Sequence, residues 1–280
     1  MGTVIPPIAN DFVAAESPEG ALDHAAALNA RGVSAILNLL GEHYHERTPA
    51  FGDTMEYRYL AAEIDERDLD ASISVKPSQI GLDIGADVFA ENLADIVDHA
   101  TEHGVFVWVD MEDHATTDAT LDAVVENAAR DGAELGVAIQ ANLKRTGDDL
   151  ERLAATDAIV RLVKGAYDEP ASIAYSDKSR VDEAYEEHLE YLFREFDRVA
   201  VGSHDPKMIS LARRLHDEHD TPYEVQMLMG VRDDAQFDLA DDGVRVVQYA
   251  PYGSKWAQYF YRRVMERKEN LLFAARAVLT

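Results

Sequence analysis

Residues 72–110 read SISVKPSQIGLDIGADVFAENLADIVDHATEHGVFVWVD. The stretch opens on a short β-branched run, Ser72–Val75, which stops at Lys76. Ala86–Glu102 then places Val88, Leu93, Ile96 and Val97 on one face at helical spacing. A second apolar run, Val105–Val109, follows and stops at Asp110. Strand, crossover helix and strand form the unit that builds parallel sheets.

The same alternation extends in both directions. Upstream, a helical stretch at Ser17–Ala30 leads into the run Val33–Leu40. Downstream, the strand candidates are Gly136–Ile139, Ile159–Val163, Arg198–Val201, Tyr223–Met227 and Val244–Gln248. Helical patterns follow them, among them Val181–Phe196, Pro206–Glu218 and Trp256–Val278. Thr117 and Asp205 lie near helix starts, where a short oxygen side chain suits an N-cap. Eight alternating units predict a parallel sheet closed as a (β/α)8 barrel, with an open doubly wound sheet as the alternative. No long linker or low-complexity segment interrupts the chain, so a single domain over residues 1–280 is expected.

The strand ends carry the functional signal. Lys76, Asp110, Gln140, Lys164 and His204 follow successive strands, Gln226 closes the seventh, and Tyr249 ends the eighth. In a barrel all these ends meet at one mouth, where active sites are built. Seven large polar groups converging there predict an active site.

Composition narrows the chemistry. The 280 residues hold 53 Asp and Glu against 26 Lys and Arg, a formal net charge of −27. Such a surface disfavours nucleic-acid grooves and anionic membrane patches, which need clustered cations. The acid is spread along the chain, as suits a salty cytoplasm in which screening relieves self-repulsion. No cysteine is present, which removes thiolate metal sites, iron–sulfur clusters and cysteine nucleophiles. Neither a secretory signal nor an apolar run long enough to span a bilayer is evident.

Nucleotide fingerprints of the P-loop or G-x-G-x-x-G kind are missing. Met111-Glu112-Asp113-His114 with His204-Asp205 could suggest a metal site, but neighbours on an extended segment point in opposite directions, so no metal is expected. His43, His45, His99 and His103 read as solvated or locally bonded side chains. The C-terminal helical pattern is more specific. Tyr259, Arg262, Arg263 and Glu266 share one side of a helix flanked by Trp256, Phe260, Leu271, Leu272 and Phe273. Buried arginines need a partner, and a planar guanidinium fork suits a substrate carboxylate.

With these motifs assembled, the sequence resembles the proline dehydrogenase family, including the proline dehydrogenase domain of bifunctional PutA proteins. The resemblance rests on Ser74-Val75-Lys76, Val109-Asp110-Met111-Glu112-Asp113, Ile139-Gln140-Ala141-Asn142-Leu143-Lys144-Arg145-Thr146 and Val160-Arg161-Leu162-Val163-Lys164-Gly165-Ala166-Tyr167. It continues through Ser203-His204-Asp205, Gln226-Met227-Leu228-Met229-Gly230, Tyr249-Ala250-Pro251-Tyr252-Gly253 and Arg262-Arg263 to Leu271-Leu272.

The resemblance implies a distorted FAD-binding (β/α)8 TIM barrel with an N-terminal helix and the eighth helix over the mouth. It implies oxidation of L-proline to Δ1-pyrroline-5-carboxylate and a membrane quinone as electron acceptor. The implied location is cytoplasmic, with peripheral membrane contact and a separate pyrroline-5-carboxylate dehydrogenase downstream. By motif, Arg262 and Arg263 would clamp the proline carboxylate, and Glu266 would orient them. Lys76, Asp110, Tyr167, Leu228 and Tyr249 would shape the substrate pocket. Gln140, Arg161, Val163, Lys164, Gly165, His204 and Gln226 would contact FAD. Rival readings are a dehydrogenase for hydroxyproline or another cyclic imino acid, a flavin-binding protein without turnover, and a metal-dependent barrel isomerase or lyase using Glu112, Asp113 and His204.

Overall fold

The computed structural model describes residues 11–257. Eight parallel strands close into a barrel in chain order. The elements run α1 (Pro18–Asn29), β1 (Ser34–Leu39), α2 (Arg47–Glu66), β2 (Ala71–Val75), α3 (Ala86–Glu102), β3 (Val107–Val109), α4 (Thr117–Ala128) and β4 (Leu135–Gln140). They continue as α5 (Thr146–Leu153), β5 (Ile159–Val163), α6 (Lys178–Glu195), β6 (Val199–Gly202), α7 (Pro206–His219), β7 (Tyr223–Leu228), α8 (Asp233–Asp241) and β8 (Val246–Tyr252). Closure comes from β1 pairing with β8, from Ser34 opposite Val247 to Leu39 opposite Tyr252. The doubly wound alternative is thereby excluded.

Alternation along each strand separates two cores. Outward residues such as Leu37, Ile73, Val107, Val137, Val160 and Val201 pack under the helices in the main buried cluster. Inward residues Ile36, Trp108, Ala200 and Val247 fill the barrel, with Phe106, Ile159 and Tyr249 against them. Gly136 makes room for Trp108, because a Cβ there would meet the indole ring and the Ile159 carbonyl, each at 2.6 Å.

Several boundaries differ from the pattern-based expectation. Val105 and Val244 precede their strands, since each N–H bonds back to the helix before it: Val105 to Ala100 at 2.9 Å and Val244 to Leu239 at 3.1 Å. Both follow a glycine at positive φ, Gly104 and Gly243, which closes the helix C-terminus. β8 runs on to Tyr252, past the expected end at Gln248, because β1 pairs with it throughout. Asp205 caps α7 by accepting from the Lys207 N–H at 3.0 Å. Thr117 is no cap. It is buried within α4, and Asp113 instead accepts from the N–H groups of Ala115 and Thr116.

α1 packs on the outside of β1 and β8, starting from a Ser17 cap on the Gly20 N–H at 3.3 Å. The expected helix Trp256–Val278 lies outside the described residues beyond Ala257. With it go Tyr259, Arg262, Arg263 and Glu266.

Candidate active site

Because inward residues recur every second position, each interior strand residue is followed by a side chain at the mouth. Ser74 leads to Lys76, Trp108 to Asp110, Ala138 to Gln140, Gln226 to Leu228 and Val247 to Tyr249. Asp110 is the hub. It accepts from Ser74 Oγ at 2.8 Å, Lys76 Nζ at 3.1 Å and Tyr249 Oη at 2.7 Å, and from the Arg161 guanidinium. The donors come from β2, the end of β2, β8 and β5. Arg161 spends its other terminal nitrogen on Gln226 Oε1 at 3.2 Å. Its charge also lies 5.1 Å from the Trp108 ring centroid and 5.6 Å from that of Tyr249, within cation–π range.

These contacts set the charge states. Burial alone would raise the Asp110 pKa, but Lys76, Arg161 and the Tyr249 and Ser74 hydroxyls outweigh it and hold the carboxyl well below its usual range. Burial would likewise lower Lys76, but Asp110, Tyr167 and Glu112 keep it raised and protonated. Burial pushes the Tyr249 phenol far up, with Asp110 adding to it. Burial pushes Tyr167 up to about 12, against the pull of Lys76. Tyr167 stands in the β5–α6 loop and is 36% exposed.

Around this hub the strand ends of β4 to β7 form a second group. Gln140 is buried and donates to the Glu112 carbonyl at 2.9 Å. Val163 ends β5 and is half-buried. Lys164 bridges Asp182 at 2.5 Å and Asp205 at 2.8 Å, and this pairing outweighs its desolvation and raises its pKa. Gly165 has φ +108°, and a Cβ there would meet Asn142 Oδ1 at 2.2 Å, so only glycine fits. His204 accepts from the Leu228 N–H through Nε2 at 3.1 Å.

The residues weighed as metal ligands serve other ends. Both Glu112 oxygens accept from Ser78, one from its N–H and one from its hydroxyl, each at 2.7 Å. Burial raises the Glu112 pKa in spite of Lys76 and those bonds. Among the described residues no three His, Asp or Glu side chains meet as a metal cluster. Two members of the site have no role in the sequence-based expectation: Ser74 and Trp108. Each sits two residues before a recognised one, Lys76 and Asp110, so the period of two was the available signal.

The sequence profile described as proline dehydrogenase matches residues 21–276. The chain belongs to the proline dehydrogenase family. Proline dehydrogenase 1 of Bacillus subtilis strain 168 is 33% identical over 274 residues, 97% of this chain and 90% of that relative. Proline dehydrogenase of Deinococcus radiodurans is 34% identical over 281 residues, again 97% of this chain and 90% of that relative. The barrel also superposes on proline utilization A (PutA) from Bdellovibrio bacteriovorus, a structure inactivated by N-propargylglycine. The TM-score is 0.86 at 24% identity, over 92% of this chain and 32% of the PutA chain. The present chain thus spans about a third of that protein, and the likeness is one of fold. Membership of the proline dehydrogenase family sets aside the metal-dependent isomerase or lyase.

Proposed function

We propose that this chain is a single-domain, FAD-dependent dehydrogenase over residues 1–280 that oxidises L-proline to Δ1-pyrroline-5-carboxylate. The observation that carries the reading is the Asp110–Lys76–Arg161–Tyr249 cluster at the barrel mouth of a proline dehydrogenase family member. In this reading Lys76, Asp110, Tyr167, Leu228 and Tyr249 line the substrate pocket, Arg262 and Arg263 clamp the proline carboxylate, and Glu266 orients the pair. α1 occupies the outer side of β1 and β8, where the last helix of a regular barrel packs.

The residues present suit FAD. Gly165 makes room for the Asn142 amide, whose buried Oδ1 has no hydrogen-bond partner among the described residues. The Arg161 guanidinium suits an anionic group, and Lys164 would share its charge between such a group and Asp182 and Asp205. Gln140, Arg161, Val163, Lys164, Gly165, His204 and Gln226 would hold the cofactor, which when bound supplies the hydride acceptor. The protein's own part is orientation and charge. Two cations and one carboxylate leave the Asp110 cluster with a net positive charge, which favours a carboxylate ligand and the neutral form of its amine. Asp110 is fully engaged with donors and Lys76 keeps its proton, so neither takes the amine proton. The amine would have to be neutral to release hydride, a state that the net positive charge of the cluster favours.

The electrons pass to a membrane quinone, and the product passes to a separate pyrroline-5-carboxylate dehydrogenase. The protein works in the cytoplasm, with peripheral contact at the membrane. No helix among the described residues is long and apolar enough to cross one.

Anaerobic titration tests the central claim. Purified protein should carry noncovalent FAD, released by acid, whose visible band bleaches on adding L-proline and responds less to hydroxyproline. A folded protein that takes up no FAD, or whose flavin proline leaves oxidised, would defeat the reading. The −27 charge makes a second, separate prediction. Raising KCl from about 0.1 M to 1 M shortens the screening length from about 10 Å to 3 Å and should raise the melting temperature. A flat melting temperature across that range would remove the adaptation to salt and leave the enzyme reading intact.

A further inference from the structure

Behind the catalytic cluster a chain of polar contacts runs down the inside of the barrel to its far face. Glu224 and Gln226 are two apart on β7 and share its inward face, while Val225 and Met227 pack outward against Ile209 of α7. Both polar residues are buried, Glu224 to 4% and Gln226 to 4% exposure. Gln226 Nε2 donates to Glu224 Oε1 at 2.6 Å, and Gln226 Oε1 accepts from Arg161 at 3.2 Å. The other Glu224 oxygen accepts from Arg245 Nε at 3.4 Å, and Arg245 in turn forks onto Asp70 at 2.8 and 3.1 Å at the barrel base.

The direction of this chain is forced by chemistry. A carboxylate only accepts, a guanidinium only donates, and an amide does each at one end. Glu224 therefore fixes which end of the Gln226 amide faces Arg161. With the Glu224 acceptor removed, the buried Gln226 NH2 loses its partner, and the amide is free to swing toward other acceptors and away from the guanidinium. Arg161 would then lose a buried partner on the side away from Asp110.

We propose that Glu224, at the base of the barrel, is a positioning residue that holds Arg161 against Asp110 by orienting the Gln226 amide. The proposal rests on the reading of Arg161 and Asp110 as part of the substrate and flavin site. It adds a residue remote from that site which acts only through Gln226.

The test combines a spectroscopic probe with a double-mutant cycle. The chain has two tryptophans, so the indole N–H region of a ¹⁵N–¹H spectrum of the holoprotein holds two signals, assignable by Trp256→Phe. Trp108 lies under the Arg161 charge and reports its position. Glu224→Met should shift the Trp108 signal and raise the half-saturating proline concentration roughly tenfold, as expected for a lost hydrogen bond that serves a charged group. In a Gln226→Met background, Glu224→Met should change proline saturation by less than about twofold, because the mediator is already gone. Asp70→Asn breaks the base ion pair but spares Glu224 and Gln226, so it should alter melting temperature alone.

If Glu224→Met lowers the melting temperature yet leaves both the Trp108 signal and proline saturation unchanged, Glu224 is merely structural. Equal effects in the two backgrounds would likewise overturn the proposal. Should Glu224→Met not fold, Gln226→Met cuts the chain from the other side and must shift the Trp108 signal. The indole signal is independent of turnover, so a protein that ignores proline still decides the positioning claim.

Discussion

Asp110→Asn should destabilise the barrel by about 3–5 kcal/mol, because it leaves the buried Arg161 and the partly buried Lys76 without their shared anion. For a domain of this size that is a fall in melting temperature on the order of 10 °C. Proline-dependent flavin reduction should fall with it, since the same carboxylate sets Lys76, Arg161 and Tyr249. The effect has a defined pH dependence. Burial opposes ionisation of Asp110, but Lys76 and Arg161 dominate and depress its folded-state pKa. A depressed carboxyl contributes its stability above the unfolded pKa of about 3.9 and loses it as pH falls toward the folded value. The gap between wild type and Asp110→Asn should therefore be full at neutral pH and shrink below about pH 4. Urea unfolding at both pH values measures it. Adding Lys76→Met should recover part of the stability by restoring charge balance, and none of the activity. An Asp110→Asn protein as stable as wild type at neutral pH would show that the cluster is not held together by this carboxylate.

Arg262→Ala and Arg263→Ala should each weaken proline binding far more than FAD binding. Removing one charge-assisted partner of a buried carboxylate costs on the order of 2–5 kcal/mol, or roughly 30- to several-thousand-fold in affinity. Lysine at either position should restore binding only in part, because a point charge cannot reproduce the two-pronged guanidinium. Glu266→Ala should act more weakly, through lost orientation of the pair. The measurement is the rate of flavin reduction against proline concentration, with flavin content determined for each variant. Had the pair been a solvated one on an outer helix, the cost would be about 0–1 kcal/mol with no selectivity for proline. Near-normal saturation in both variants would place the carboxylate site elsewhere.

Local pattern and tertiary register divide the explanation of this protein between them. The eight strands, the helix before them and the polar residues at their ends were legible in the sequence, because apolar periodicity and strand-stopping residues act over a few positions. α3 and β5 have the bounds their patterns predict, Ala86–Glu102 and Ile159–Val163. Where the pattern erred, at Val105 and Val244, an apolar residue was taken by the closing turn of a helix, which hydrophobicity does not distinguish from a strand start. The motifs also carried the family. What they could not carry was the partner of each group. Asp110 meets Lys76, Arg161 and Tyr249 across 34, 51 and 139 residues of chain. Only the register of strands around the closed barrel brings those positions to one height. The low effective dielectric inside it then makes their mutual attraction outweigh the cost of burial. The same holds for Glu224, which reads as an ordinary strand glutamate until β7 turns it inward beneath Gln226. Local sequence decided which residues reach the mouth; closure of the barrel decided which of them touch, and with that their charge.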